Sequence, residues 1–200
     1  MQALETQVDV SFSPLLHSYT LEEFWALPEP DDHSHYELIG GFLFMVPPPD
    51  PPHGSIDSRL NRSLVLFLAE NGVKGDVHHP RESIYRDNDT YLEPDMMYVS
   101  DDLRERMGKK RTSADIVFEY LSESNAIYDR TTKSHTYLAL GVREFWLIDP
   151  MTGTIEVRYA TEHKGQPAWE VWRYSKGDQA ESRVLNGWRV SVDELFAGLI

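Results

Sequence analysis

The stretch Ile116-Val117-Phe118-Glu119-Tyr120-Leu121, taken with the segment Ile127 to Leu140 and with Glu144-Phe145-Trp146-Leu147-Ile148-Asp149, decides the fold. The first and last are short apolar and aromatic runs bounded by polar residues, which is how buried strands read. Between them Ser124-Asn125 offers capping residues for a helix and Gly141 a stop. A strand, a crossover helix and a second strand in about thirty-five residues make a parallel-sheet unit.

Alternation along the first strand puts Val117, Glu119 and Leu121 on one face and Ile116, Phe118 and Tyr120 on the other, so neither face reads as solvated. Glu119 is therefore expected to point into covered protein. An unpaired carboxylate there would cost several kcal/mol or take up a proton, so it calls for a cation, a set of donors or a raised pKa. Asp95, in Glu93-Pro94-Asp95, raises the same question within the apolar run Leu92 to Val99, which reads as part of a strand Tyr91 to Val99. A divalent metal is the holder that would serve both.

Outward from this unit the pattern predicts a mixed sheet. Thr20-Leu21-Glu22-Glu23 is a capping box opening a short helix that stops at Leu27. Tyr36 to Ile39 and Phe42 to Val46 read as a hairpin turning on Gly40-Gly41. Pro47 to Pro52 reads as a stiff extended connector, and Ile56 to Glu70 as a helix stopped by Asn71-Gly72. Strands are expected near Val73 to His79 and Glu82 to Arg86, with Asp87-Asn88-Asp89 as a turn. Further strands are expected at Thr154 to Tyr159, Ala168 to Tyr174 and Trp188 to Val190, before a second capping box at Ser191-Val192-Asp193-Glu194. The fold class is α/β with a mixed twisted sheet flanked by helices, an N-terminal hairpin and extra C-terminal strands, in a single domain over residues 1–200.

Composition narrows the function. Five Trp, ten Tyr and eight Phe in 200 residues argue for a folded core, and the absence of Cys excludes disulfides and thiolate metal sites. Met1-Gln2-Ala3-Leu4-Glu5-Thr6 lacks a basic region leading into an apolar stretch, and no run approaches the ~18 apolar residues of a membrane span, so a soluble cytoplasmic chain with no membrane partner is expected. A formal net charge of -14 repels nucleic acid, so a DNA-binding reading needs a local basic surface. Arg104, Arg106, Lys109, Lys110 and Arg111, in a polar loop between the strands of Asp95 and Glu119, supply one, unless that loop is simply solvated. Asp129 and Lys133, four apart on the crossover helix, are either a surface ion pair or a base reaching Glu119 across the sheet. His33, His35, His78 and His79 bring no third zinc ligand at a recognised spacing.

Pro94-Asp95, a second carboxylate some two dozen residues on and a lysine resemble the signature of restriction-endonuclease-like PD-(D/E)XK nucleases. Tyr36-Glu37-Leu38-Ile39-Gly40-Gly41, His53, Glu93-Pro94-Asp95, Phe118-Glu119-Tyr120-Leu121-Ser122, Asp129-Arg130-Thr131-Thr132-Lys133 and Gly141 to Pro150 resemble, more closely, the Uma family within that superfamily. The resemblance implies a metal-dependent DNA endonuclease. Asp95, Glu119 and the carbonyl of Tyr120 would hold Mg²⁺, or Mn²⁺ in its place, and Lys133 would orient the attacking water or neutralise charge on phosphorus. It further implies Glu37 as an added carboxylate, His53 as a phosphate or metal contact, DNA as partner and, by analogy of fold, a homodimer. The sequence departs from the pattern where Leu121 stands at the motif's lysine position and where Gly40 and Phe42 replace acids. With the net acidity, these departures keep open a catalytically inactive interaction or regulatory module on the same fold.

Overall fold

The computed structural model describes residues 17–49, 51–80, 82–123 and 125–199; Met1 to Thr6 and Ser124, both used above, lie outside them. The parallel unit forms as the alternation requires. Strand β7 (Ile116–Tyr120) and strand β8 (Glu144–Asp149) pair in parallel, with Glu119 opposite Leu147. They are the centre of a six-stranded sheet that runs β10-β9-β8-β7-β6-β3, in which β3 is Gly75–His78, β6 Met96–Ser100, β9 Thr154–His163 and β10 Gln166–Tyr174. All other neighbours in it are antiparallel.

The two faces bury different partners. On one, Ile116, Phe118, Tyr120, Trp146 and Ile148 pack against helix α2 (Pro51–Asn71) and the C-terminal segment. Ile56, Leu60, Leu64 and Leu68 form the apolar stripe of α2 at four-residue spacing. On the other face, Val117, Leu121, Phe145 and Leu147 meet Tyr137 and Val142 of the crossover. Both faces of the central strands are thus dry, which is why β7 and β8 read as near-continuous apolar runs. The C-terminal segment closes with β11 (Gln179–Glu181), β12 (Arg189–Ser191) and helix α6 (Val192–Phe196), where Ser191 accepts from the Glu194 N–H as its capping residue.

A four-stranded antiparallel sheet, β2-β1-β5-β4, is built from β1 (His35–Ile39), β2 (Phe42–Val46), β4 (Ile84–Arg86) and β5 (Thr90–Leu92). Gly40 and Gly41 turn its hairpin with φ of 56° and 82°, the left-handed pair that a two-residue hairpin loop needs. Helix α1 (Leu21–Trp25) forms with its full capping box.

Four expectations are corrected. The run Tyr91 to Val99 is two strands in two sheets, β5 and β6, broken at Glu93-Pro94-Asp95; Pro94 has no N–H to give a ladder. Pro51 and Pro52 are not connector but the first residues of α2, where a missing N–H costs nothing. The basic segment is not all loop, since Asp101–Met107 forms helix α3 under a Ser100 cap. The crossover is not a uniform helix: α4 (Ala126–Tyr128) passes through a π-helical turn, Asp129–Lys133, into α5 (Ser134–Ala139). Asn125 precedes it without a side-chain cap bond, its Oδ1 accepting instead from the Ser122 N–H.

Candidate active site

The break at Glu93-Pro94-Asp95 positions the site. There the chain leaves the small sheet and enters the large one, so residues of both sheets meet. Met96 pairs with Phe118 in the antiparallel register, and the next step of that register sets Asp95 opposite Glu119. Beyond the last ladder bond, Asp95 Oδ2 takes the place of a strand carbonyl and accepts from the Tyr120 N–H at 2.7 Å. From the small sheet Glu37, in mid β1, accepts the Glu93 N–H at 2.8 Å.

Lys133 reaches this point from the crossover. Its Nζ lies 3.1 Å from Glu37 Oε2, 3.1 Å from Glu119 Oε1 and 3.5 Å from Asp129 Oδ1, and the side chain is 2 % exposed. The surface-pair reading of Asp129 and Lys133 is therefore overturned: the pair is buried. A π turn carries one residue more than an α turn, and such turns concentrate at functional sites; this one spans Asp129 and Lys133 and buries both. Two tyrosines complete the set. Tyr137 donates to Glu119 Oε1 at 2.6 Å, and Tyr128 donates to Glu37 Oε2 at 3.1 Å. Neither was singled out in the sequence, where both read as core.

Three carboxyl groups, Glu37, Glu119 and Asp129, thus share one ammonium, whose charge also acts on Asp95. Burial raises Asp95 and lifts Glu119 well above the usual carboxylate range, against the pull of Lys133. Burial would push Lys133 down, but Glu119, Glu37 and Asp129 outweigh it and hold the ammonium charged. Asp129 is pushed up to about 7 by burial, and neither of its oxygens has a hydrogen-bond partner among the described residues.

Asp129 gives a direct pH prediction. Its folded pKa lies above its ordinary 3.8, so the stability it contributes is complete below that value and is lost as pH rises through about 7. Asp129→Asn should remove that loss, stabilising the protein at pH 8 by about 1 kcal/mol or more and flattening the decline between pH 4 and 7. Urea denaturation at several pH values measures it; an identical decline in both proteins would refute the assignment.

The donor set suits an oxygen-coordinated divalent cation in kind. Asp95 commits Oδ2 to Tyr120, and Glu119 commits Oε1 to Lys133 and Tyr137, which leaves the second oxygen of each for a further ligand. Among the described residues no three His, Asp or Glu side chains close on one metal position, so the protein would supply two carboxylates and the Tyr120 carbonyl. Mg²⁺ accepts so few protein ligands because it keeps several waters and takes substrate phosphate.

A second polar group stands across β7. Tyr120 donates its hydroxyl to Asp57 Oδ1 at 2.9 Å, and His79 Nδ1 lies 3.2 Å from the same oxygen. His53 is buried near Tyr120, with ring centroids 6.0 Å apart. Asp57 also went unnoticed in the sequence, because a lone acid near the start of a helix carries no distinguishing signal.

The basic segment is not beside the carboxylates. α3 follows the far end of β6, and six residues of extended chain from Asp95 span about 20 Å. Arg104 is paired with Asp76 and Asp101, and Arg111 with Glu82, whereas Arg106, Lys109 and Lys110 are exposed. No helix among the described residues is long and apolar enough to cross a membrane.

Comparison with curated proteins gives no match. Among solved structures the chain is similar to the crystal structure of "a putative nuclease belonging to DUF820" from Anabaena variabilis ATCC 29413, with a TM-score of 0.69 at 21% identity over 91% of this chain and 99% of that one. At that identity the likeness shows a shared fold. The family model described as "Putative restriction endonuclease" matches residues 21–193, nearly the whole described chain, and the chain belongs to the Uma2 family.

Proposed function

We propose that the protein is a metal-dependent DNA endonuclease that hydrolyses phosphodiester bonds at the Asp95–Glu119–Lys133 centre. The observation that carries this reading is the register of β6 and β7, which sets the half-buried carboxylate of Asp95 opposite the buried one of Glu119, itself paired with a buried lysine. Mg²⁺, or Mn²⁺, held by Asp95, Glu119 and the Tyr120 carbonyl would polarise the scissile phosphate and acidify the attacking water. The Tyr120 N–H fixes Asp95, and Tyr137 with Lys133 fixes Glu119, so both carboxylates are oriented before any ligand arrives. Lys133, as a compact ammonium, would orient the water or offset charge on the phosphoryl oxygens. Glu37 holds Lys133 from the second sheet and acts as its positioning residue.

One observation favours a second reading, a non-catalytic module on the same fold. Three carboxylates engage Lys133 at once, and an ammonium has only three protons to give. Calorimetric titration of Mg²⁺ and Mn²⁺ into wild type and Asp95→Ala separates the two. The nuclease reading expects wild-type binding at or below millimolar metal and its loss in the variant. A folded wild type that takes up neither ion at millimolar concentration would leave the module reading standing.

A further inference from the structure

A cavity of about 340 Å³ lies between helix α1, the start of β1 and the end of β5. Pro28 and Pro30 stiffen the wall that follows α1, and Trp25 stands in it 61 % exposed. The indole meets Tyr91 edge to face, with ring centroids 4.8 Å apart, so it is held in place while much of its surface stays open. Two polar groups of the lining are oriented without being satisfied. Tyr91 donates its hydroxyl to Glu93 Oε1 at 2.7 Å, which fixes the carboxyl and leaves Oε2 for another donor. His35 Nε2 is 3.9 Å from that Oε2, beyond hydrogen bonding, and has no hydrogen-bond partner among the described residues. An imidazole nitrogen is a donor or an acceptor in every protonation state, so one left unpaired is a cost that a ligand would remove.

The chemistry of the lining selects the ligand. Glu29 and Glu93 face the cavity and, among the described residues, no lysine or arginine does, so a phosphate would be repelled. A neutral flat ring that offers an N–H beside an acceptor suits the indole, the carboxylate and the imidazole together. The cavity also adjoins the carboxylate centre. Glu93 gives its N–H to Glu37 and stands two residues before Asp95, so about 7 Å of backbone at most separates it from Asp95. That span is on the order of two nucleotide rises along one DNA strand. His35 precedes Glu37 by two in β1 and shares its face. We propose that this cavity takes one unstacked base of the DNA strand close to the scissile phosphate, stacking it on Trp25 and reading its exocyclic amine with Glu93 and the adjacent ring nitrogen with His35. The proposal rests on the nuclease reading and adds to it a preference for cytosine or adenine, in which an amine sits beside an acceptor nitrogen, over thymine, which has no amine.

The test follows binding of labelled single strands of deoxycytidine and of thymidine by fluorescence anisotropy, with Ca²⁺ in place of Mg²⁺ at fixed salt. Wild type should bind the cytosine strand about tenfold more tightly than the thymine strand. Trp25→Ala should weaken cytosine binding about tenfold, and Trp25→Phe, which keeps a stacking face, by no more than about threefold. Glu93→Gln retains an oxygen for the Tyr91 hydroxyl but turns an amide N–H₂ toward the cavity, so the preference should fall to about twofold or less. Equal affinity of wild type for the two strands, unchanged cytosine binding by Trp25→Ala or an undiminished preference in Glu93→Gln would overturn the pocket, while duplex cleavage by the wild type would leave the nuclease reading intact. If Trp25→Ala melts far below wild type, Glu93→Gln decides in its place. Deoxycytidine monophosphate binding as tightly as the strand would assign the cavity to a free nucleotide and likewise overturn the proposal. A wild type that neither binds nor cuts DNA overturns the nuclease reading, and the pocket with it.

Discussion

Lys133→Met is expected to cost about 3–5 kcal/mol of folding stability at pH 8, the scale for removing one partner of a buried ion pair. Methionine restores most of the lysine's volume, so little of this loss comes from a cavity. It comes from Glu37, Glu119 and Asp129, all buried and all facing the place the ammonium leaves. Without it, those carboxyls can remain in the fold only by keeping protons. Glu119 and Asp129, which burial already raises, then lose the charge that pulled them down, so stability is retained near pH 4 and lost as pH rises through their folded values. The gap between variant and wild type should accordingly be small at pH 5 and full at pH 8. Urea denaturation at the two pH values measures it. An exposed pair at four-residue spacing would be worth only about 0.3–0.5 kcal/mol, so a loss under about 1 kcal/mol at pH 8 would mean that Lys133 does not hold these charges in place.

What the residues revealed and what they hid divide along physical lines. The β7–crossover–β8 unit was legible because period-two alternation and a glycine stop act locally, and the inward direction of Glu119 followed from them. Asp95, Glu119 and a Lys133 reaching across the sheet were legible from burial and from a crossover packing back over its strands, whereas Glu37 was legible only through the family resemblance, since no local rule joins β1 to the crossover. The break at Pro94 was missed although its signal was present: a proline inside an apolar run ends a ladder, and the two halves then serve different sheets. Helix α3 was hidden by its charge. Ser100 as cap, Asp101 and Asp102 in the first turn, and Arg104 and Arg106 in the last complement the helix dipole, yet the stretch reads first as a basic loop. The π turn had no readable signal. The hydroxyls of Tyr128 and Tyr137 could have been suspected only after Lys133 was known to be buried, because a tyrosine in a core pattern does not declare which polar group it meets.

Asp95→Asn is expected to lower metal-dependent cleavage of duplex DNA by about 10³-fold or more while leaving the protein as stable as wild type or more so. The two halves have separate physical causes. Asparagine keeps an oxygen that can accept the Tyr120 N–H, so the junction between β5 and β6 stays anchored. It also removes a carboxyl that burial has already raised, which relieves a charge the fold holds at a cost. Activity falls because a neutral amide is a weak ligand for a hard divalent cation, and because the electrostatic stabilisation of a phosphoryl transition state is the largest single contribution such a site makes. Stability gained with activity lost is the mark of a charge retained for chemistry. A purely structural carboxylate at this position would give the opposite pair of results, a lower melting temperature with the cleavage rate of the folded fraction unchanged. Melting curves and single-turnover cleavage of one duplex, run on the same preparations with Mg²⁺ and with Mn²⁺, separate the two outcomes. Cleavage by Asp95→Asn within tenfold of wild type would remove Asp95 from the metal site and leave Glu119 without its partner across the strands.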